Sequence, residues 1–201
     1  MAELRPLISK RDAQTESKVR VKGVNFIMLL EAVVRIYGPE AKQRIEKGAT
    51  GDLAHVLRFG GIVTSGWYSL SLYRSLWHLV ASQLTLDTNG IRRLTQKATA
   101  LSIGGIYRTL AQVTTPAMLV SLSSKIFGKF YESAQFNVKT SRQGYILCEW
   151  RECDGFDRYL WNHVIGGAVY FLEVAGAKSV EFSVLEGGDD SNRMLAAFTY
   201  T

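Results

Sequence analysis

The residues best suited to ligand chemistry lie along one predicted helix near the end of the chain. Tyr159, His163, Gly166 and Tyr170 follow one another at helical spacing, and Gly167 adjoins them. Paired glycines remove side-chain bulk from the middle of a helix, so a ligand or another backbone can approach closely there. This stripe indicates one wall of a small-molecule pocket in which His163 and the tyrosines supply polar contacts. The alternative is that the glycines serve helix packing alone and that His163 binds a backbone carbonyl.

Large aromatic side chains elsewhere in the sequence are candidates for lining the same pocket. They lie on other predicted helices and on a predicted strand, and they are Tyr73, Trp77, Tyr107 and Trp150. Such rings most often fill a protein core, but a subset of them can line an apolar cavity. We assign ligand contacts to these four residues together with the five of the stripe.

Signals for metal binding and catalysis are weak in the sequence. Cys148 and Cys153 are separated by four residues, whereas paired zinc ligands are typically separated by two. No Gly-x-Ser-x-Gly, P-loop or dinucleotide-binding motif occurs, and no two carboxylates share an inward face. His78 lies on a polar helix face, which favours an exposed or interface position. We expect no metal, no cofactor and no enzymatic activity.

The hydrophobic periodicity changes along the chain. Apolar residues recur at helical spacing over 23–37, 70–84 and the segment that follows Pro116. From about residue 134 the period is two, which predicts a hairpin, then a helix at 157–174, then two closing strands. The predicted fold is α+β: an N-terminal helical half packed on a four-stranded antiparallel sheet, with one helix inserted between the two hairpins.

Composition and charge bound the class of protein. The chain has 201 residues, of which 47% are hydrophobic and 21% charged, as in a globular domain with a core. Half of its net charge of +6 lies within residues 1–22, and the rest is dispersed over helix faces, so nucleic acid is not an expected partner. We predict a flexible basic leader at 1–17 and one ligand-binding domain at 18–201. Two cysteines and no apolar run of about 20 residues predict a cytoplasmic protein without membrane insertion.

The order of elements and several strings resemble a known superfamily. The strings are Gly23-Val-Asn-Phe-Ile-Met-Leu-Leu-Glu-Ala-Val-Val-Arg-Ile-Tyr-Gly38, Trp67-Tyr-Ser-Leu-Ser-Leu-Tyr73 and Thr115-Pro116 before a long helix. With the two-plus-two sheet, they resemble the heme-nitric-oxide-binding and 4-vinyl-reductase domains, and most of all a family of similar length and unknown function that is expanded in myxobacteria. The resemblance covers most of residues 18 to 201. It implies a ligand-sensing domain, commonly dimeric, with its pocket between helices and sheet.

The resemblance also implies heme-binding and zinc-binding residues that this sequence lacks. The heme-binding branch coordinates iron through a His in the helix before its sheet and binds the propionates with Tyr-x-Ser-x-Arg. Here residues 116–132 contain no His, and the nearest string, Tyr131-Glu-Ser133-Ala-Gln135, ends in Gln. The 4-vinyl-reductase branch binds zinc with cysteines around its last hairpin, and residues 183–194 contain none. Without these heme and zinc ligands, the resemblance implies only the fold and an apolar pocket.

One leading hypothesis and two alternatives follow. The leading hypothesis is a non-enzymatic sensor or regulatory module that binds a small, largely apolar ligand between the helix at 157–174, the helix at 70–84 and the sheet. One alternative is a dimeric protein-interaction scaffold with a collapsed pocket, whose interface is the polar face that carries His78. The other is a receptor for a nucleotide or another anion, based on the positive charge and on Arg92-Arg93. The expected partners are a small molecule and either a second copy or another protein.

Overall fold

Helices form most of the first two thirds of the chain. The computed structural model describes residues 18–102, 116–189 and 191–201, with side chains for all of these except 102 and 116–121. The leader predicted at 1–17 lies outside the described residues. The helices are α1 (Gly23–Tyr37), α2 (Pro39–Gly48), α3 (Gly51–Arg58), α4 (Leu70–Leu84), α5 (Thr88–Ser102), α6 (Pro116–Phe130) and α7 (Arg158–Val174).

The helix boundaries follow the local chemistry of the chain. α1 ends where Gly38 adopts a positive φ of 84°, and Pro39, whose fixed φ suits a first helical turn, opens α2. α5 is preceded by Asp87, whose Oδ1 accepts a hydrogen bond from the Gly90 amide at 2.7 Å. The stretch before Gly66 has the pattern of a loop, but α3 lies within it. With eight residues, α3 is too short for its apolar period to be recognised.

Seven strands form two antiparallel sheets in the described residues. The strands are β1 (Arg20–Lys22), β2 (Trp67–Ser69), β3 (Tyr131–Glu132), β4 (Gln135–Arg142), β5 (Tyr145–Arg151), β6 (Glu181–Gly187) and β7 (Met194–Thr199). The larger sheet has the order β4-β5-β7-β6, and α7 connects its two hairpins. This confirms the predicted α+β fold. The smaller sheet, in the order β2-β1-β3, is not predicted by the sequence.

The core lies between the larger sheet and the helices. Alternation along β5 turns Ile146, Cys148 and Trp150 to the inner face, and the register pairs Ile146 with Phe198 of the neighbouring strand. α7 adds Leu160 and Trp161, both almost fully buried. Each large apolar side chain removed from water in this way contributes about 1.5–3 kcal/mol. The inward side chains of the sheet and of α7 belong to one hydrophobic core.

The longest helix of the described residues is α7, with 17 residues. None of the helices in these ranges combines the length and the apolar character that a membrane span requires.

A candidate ligand cavity beside the last helix

One carboxylate, that of Asp157, fixes the start of α7. Its Oδ1 accepts hydrogen bonds from the amides of Tyr159 and Leu160 at 3.0 and 3.1 Å, which is a helix N-cap. Its Oδ2 lies 2.5 Å from Nε2 of His78 on α4. The side chain of His78 is half exposed, as the sequence predicts. The same residue thus caps α7 and ties it to α4.

Asp157→Ala is expected to lower the free energy of unfolding by about 1–2 kcal/mol, because two amides at the start of α7 lose their acceptor. Asp157→Asn keeps an oxygen that can accept from both amides, and it should lose less. Urea unfolding of the two variants measures the difference. Equal losses would indicate that the contact with His78, not the cap, carries the stabilisation.

A cavity of about 140 Å³ lies between α6, α7 and the inner face of the larger sheet. Its wall is mostly apolar, with Phe127 and Phe130 from α6, Phe136 and Trp150 from the sheet, and Phe171 from α7. The polar members of the wall are Asn25, Thr99, Ser123, Tyr131, Cys148 and His163. Among the described residues, no Asp, Glu, Lys or Arg lines it. The cavity is thus an uncharged space.

His163 is the polar residue whose surroundings the structure defines most fully. It is buried, with Nδ1 3.1 Å from Oγ1 of Thr95 and Nε2 3.4 Å from the hydroxyl of Tyr73. Its ring packs against Trp77, with centroids 5.3 Å apart. Burial lowers the pKa of His163 from its usual 6.5 to about 3, so the ring is neutral. Both ring nitrogens face side-chain hydroxyls, and not the backbone carbonyl that the sequence offered as an alternative.

The two glycines of the stripe face different neighbours. A Cβ atom built on Gly166 would lie 2.9 Å from the carbonyl oxygen of Arg92 and 3.0 Å from its Cα, so this glycine is where the backbones of α5 and α7 approach. A Cβ atom built on Gly167 would meet only Oγ1 of Thr99, at 3.8 Å, and Gly167 lines the cavity. Helix packing therefore accounts for Gly166, and the open volume lies next to Gly167.

Three residues predicted to contact a ligand lie in the wall of the cavity: Trp150, His163 and Gly167. Tyr73 and Trp77 form a layer behind the wall, in contact with the His163 ring. The structure thus places five of the nine predicted residues in the wall of the cavity or directly behind it.

The remaining predicted residues are placed elsewhere. Tyr159 lies at the start of α7, where its ring packs on His78 with centroids 4.5 Å apart. Gly166 faces α5, and Tyr170 packs beside Phe171 without lining the cavity. Tyr107 lies outside the described residues. Tyr159 precedes the part of α7 that borders the cavity, whereas Tyr170 lies within that part, between the lining residues Ala168 and Phe171, without lining the cavity itself.

Sequence reasoning missed the aromatic part of the wall. Phe127, Phe130 and Tyr131 are spaced as i, i+3 and i+4, and Phe136 is the first inward residue of the strand that follows. The helical spacing and the strand alternation together could have indicated these residues, because the apolar faces of the helix and of the strand must both face the same core. The polar residues Asn25 and Ser123 carry no comparable signal.

Burial keeps the other titratable groups of the wall neutral as well. It raises the pKa of the Cys148 thiol to about 12 and the pKa of the Tyr131 phenol well above its usual value. The Tyr131 hydroxyl is buried without a hydrogen-bond partner among the described residues. A buried polar group left without a partner costs about 1–3 kcal/mol. In the part of the chain that the structure describes, no group of three or more His, Cys, Asp or Glu residues could hold a metal ion.

Comparison with solved structures finds H-NOX domains as neighbours. An Fe(II) unliganded H-NOX protein from K. algicida aligns with a TM-score of 0.68 and 16% identity over 90% of this chain and 96% of that chain. An oxygen-binding H-NOX domain related to soluble guanylate cyclases gives a TM-score of 0.64 and 8% identity over 90% and 95%. An H-NOX protein from S. oneidensis, a triple mutant, gives 0.57 and 15% over 90% and 96%.

These similarities bear on the fold alone, because the identities are low. No protein-family model matches the chain, and no curated protein matches it. The resemblance to heme-nitric-oxide-binding domains is confirmed at the level of fold. The relation to 4-vinyl-reductase domains and to the myxobacterial family stays a prediction.

Proposed function

We propose that this chain, whose fold is H-NOX-like, is a sensor or regulatory module that binds a small, largely apolar molecule in the cavity beside α7. The observation that supports it is the cavity of about 140 Å³ with an uncharged, mostly apolar wall that is rich in aromatic side chains. An engineered apolar cavity of about 150 Å³ in another protein stays dry and binds benzene or xenon, so a ligand of that size fits here. A dimer or a protein partner, and a cytoplasmic location, stay predictions.

The chemistry of the wall favours binding without reaction. A reactive cysteine is a thiolate, and a pKa of about 12 keeps Cys148 as a thiol. His163 is neutral, and its nitrogens already face Thr95 and Tyr73. A general base needs a free nitrogen within reach of the proton it takes. The lining residues that the structure describes therefore offer a ligand contact area and no activated group.

Heme must be considered, because structural neighbours include H-NOX proteins in which heme distortion was probed. Proteins ligate heme iron through His, Cys thiolate, Met or Tyr. In this wall both nitrogens of His163 are engaged, while Cys148 and Tyr131 are held in their protonated forms. No cationic side chain among the described lining residues faces the two carboxylates of a heme. The lining residues that the structure describes therefore do not fit heme.

Toluene is expected to bind the protein and to raise its melting temperature. At a concentration ten times Kd, mass action adds about 1.4 kcal/mol, which is a rise of roughly 3–6 °C for a chain of this size. Gly167→Leu should abolish the rise, because its side chain occupies the cavity. Thermal unfolding followed by circular dichroism, with and without toluene, measures both effects.

The matched control is Gly128→Leu, the same change in α6. Gly128 is exposed, and a Cβ atom there would meet nothing within 4 Å, so toluene should stabilise this variant as it does the native protein. An equal rise in Gly167→Leu would place the ligand elsewhere. No rise in the native protein would contradict the proposed function.

A further inference from the structure

We infer that the cavity selects its ligand by charge and admits a weak acid or a weak base only in its neutral form. The inference rests on the proposed function and deepens it, because it names the ligand class by ionisation state. It also assigns any pH dependence of binding to the ligand and not to the protein.

The first support is the placement of charged side chains. Lys125 and Lys129 of α6 are exposed, and Glu173 near the end of α7 is exposed too. Arg92 of α5 is engaged with Asn162 and with the ring of Phe182. Within the described residues none of these charges lies in the cavity wall. An ion that entered would leave water without gaining a counter-ion, which is the most expensive form of burial.

The second support is that the wall stays uncharged when the pH changes. The titratable groups that line the cavity or face the His163 ring are Tyr73 of α4, Tyr131 of β3, Cys148 of β5 and His163 itself. Burial raises the pKa of the first three and lowers the pKa of His163, so each is kept neutral. From the described side chains of α5, the hydroxyls of Thr95 and Thr99 face this region. The wall thus offers no charge of either sign around neutral pH.

The consequence for affinity is quantitative. If only the neutral form binds, the apparent Kd equals the intrinsic Kd divided by the neutral fraction of the ligand. For a base, that fraction falls about tenfold for each pH unit below the pKa of the ligand. Nucleotides and other permanent anions are excluded from this cavity by the same reasoning.

Toluene and 4-methylpyridine test the inference, because they have nearly the same shape and only the pyridine nitrogen titrates, in mildly acidic solution. Their affinities for the full chain are measured by NMR titration at pH values from about 5 to 8, with circular dichroism confirming the fold at each pH. We expect the toluene Kd to be constant. We expect 4-methylpyridine to weaken about tenfold per pH unit below its own pKa.

The outcomes separate the two proposals. Toluene binding together with 4-methylpyridine binding that ignores pH, or strengthens on protonation, would overturn the charge selection and leave the proposed function standing. Absence of toluene binding at every pH would overturn both. Gly167→Leu must lose both molecules; if 4-methylpyridine alone persists in that variant, it binds at another site and the inference fails.

Discussion

Gly166→Ala is expected to destabilise the protein by about 1–3 kcal/mol, although alanine is the better helix former. The added Cβ would lie 2.9 Å from the carbonyl oxygen of Arg92 and 3.0 Å from both Arg92 Cα and Thr95 Cβ. Two of these atoms are backbone, so α5 and α7 must move apart for the methyl group to fit. The melting temperature should fall by roughly 3–10 °C in thermal unfolding.

The adjacent glycine provides the control. At Gly167 the added methyl group meets only Oγ1 of Thr99 at 3.8 Å, so the helix propensity of alanine should decide the outcome. Gly167→Ala is expected to be neutral or to stabilise by up to about 1 kcal/mol. A similar loss in both variants would show that the spacing of α5 and α7 is not set at Gly166.

Acidification is expected to destabilise the protein through His163. In the unfolded chain this side chain takes up a proton near its usual pKa of 6.5, whereas burial lowers the pKa of His163 to about 3 in the folded state. Between these two values the unfolded state binds more protons, so stability falls as the pH falls. The slope is about 1.4 kcal/mol per pH unit, so about 2–3 kcal/mol is lost between pH 6.5 and pH 4.5.

The contribution of His163 can be separated from that of the carboxylates. Arg20 lowers the pKa of Glu132, and Arg151 lowers the pKa of Glu149. Protonation of these two carboxylates therefore also lowers the stability of the protein, but only around and below the usual pKa range of carboxylates. Urea unfolding between about pH 5 and 6.5 therefore minimises the contribution of these carboxylates.

His163→Gln should flatten that slope, while the exposed His55→Gln should leave it unchanged. The comparison uses slopes, because His163→Gln also alters packing. If the free energy of unfolding of His163→Gln falls with pH as steeply as that of the native protein, the loss of stability on acidification has another origin.

Long elements with clear end signals were predictable from the sequence. Gly38-Pro39 ends α1 and starts α2 because a glycine with positive φ and a proline at the first turn are strong local signals. The strand alternation gives both hairpins of the larger sheet. β1 and β3 were not predictable, since two or three residues show no alternation, and their pairing is decided by distant segments.

The site was predictable in part, and α7 shows why. Periodicity places His163 and the two glycines near one face, but adjacent residues differ by about 100° around a helix, so it does not tell which glycine faces α5. The cavity borders the 17-residue helix α7 from His163 to Leu172. Tyr159 and Tyr170 share the stripe, but Tyr159 lies before that section and Tyr170 lies within it without lining the cavity.

The smaller sheet joins parts of the chain that are far apart in sequence. β1 pairs with β2 on one edge and with β3 on the other, and the side chain of Arg20 binds Glu132, 112 residues away. Closing a loop of that length costs conformational entropy, so the pairing of these short strands depends on the packing of the helices that lie between them in the chain. The three paired strands hold the first helix and the start of the larger sheet at a fixed separation. Any fragment that lacks either residues 20–22 or residues 131–132 loses this strand pairing.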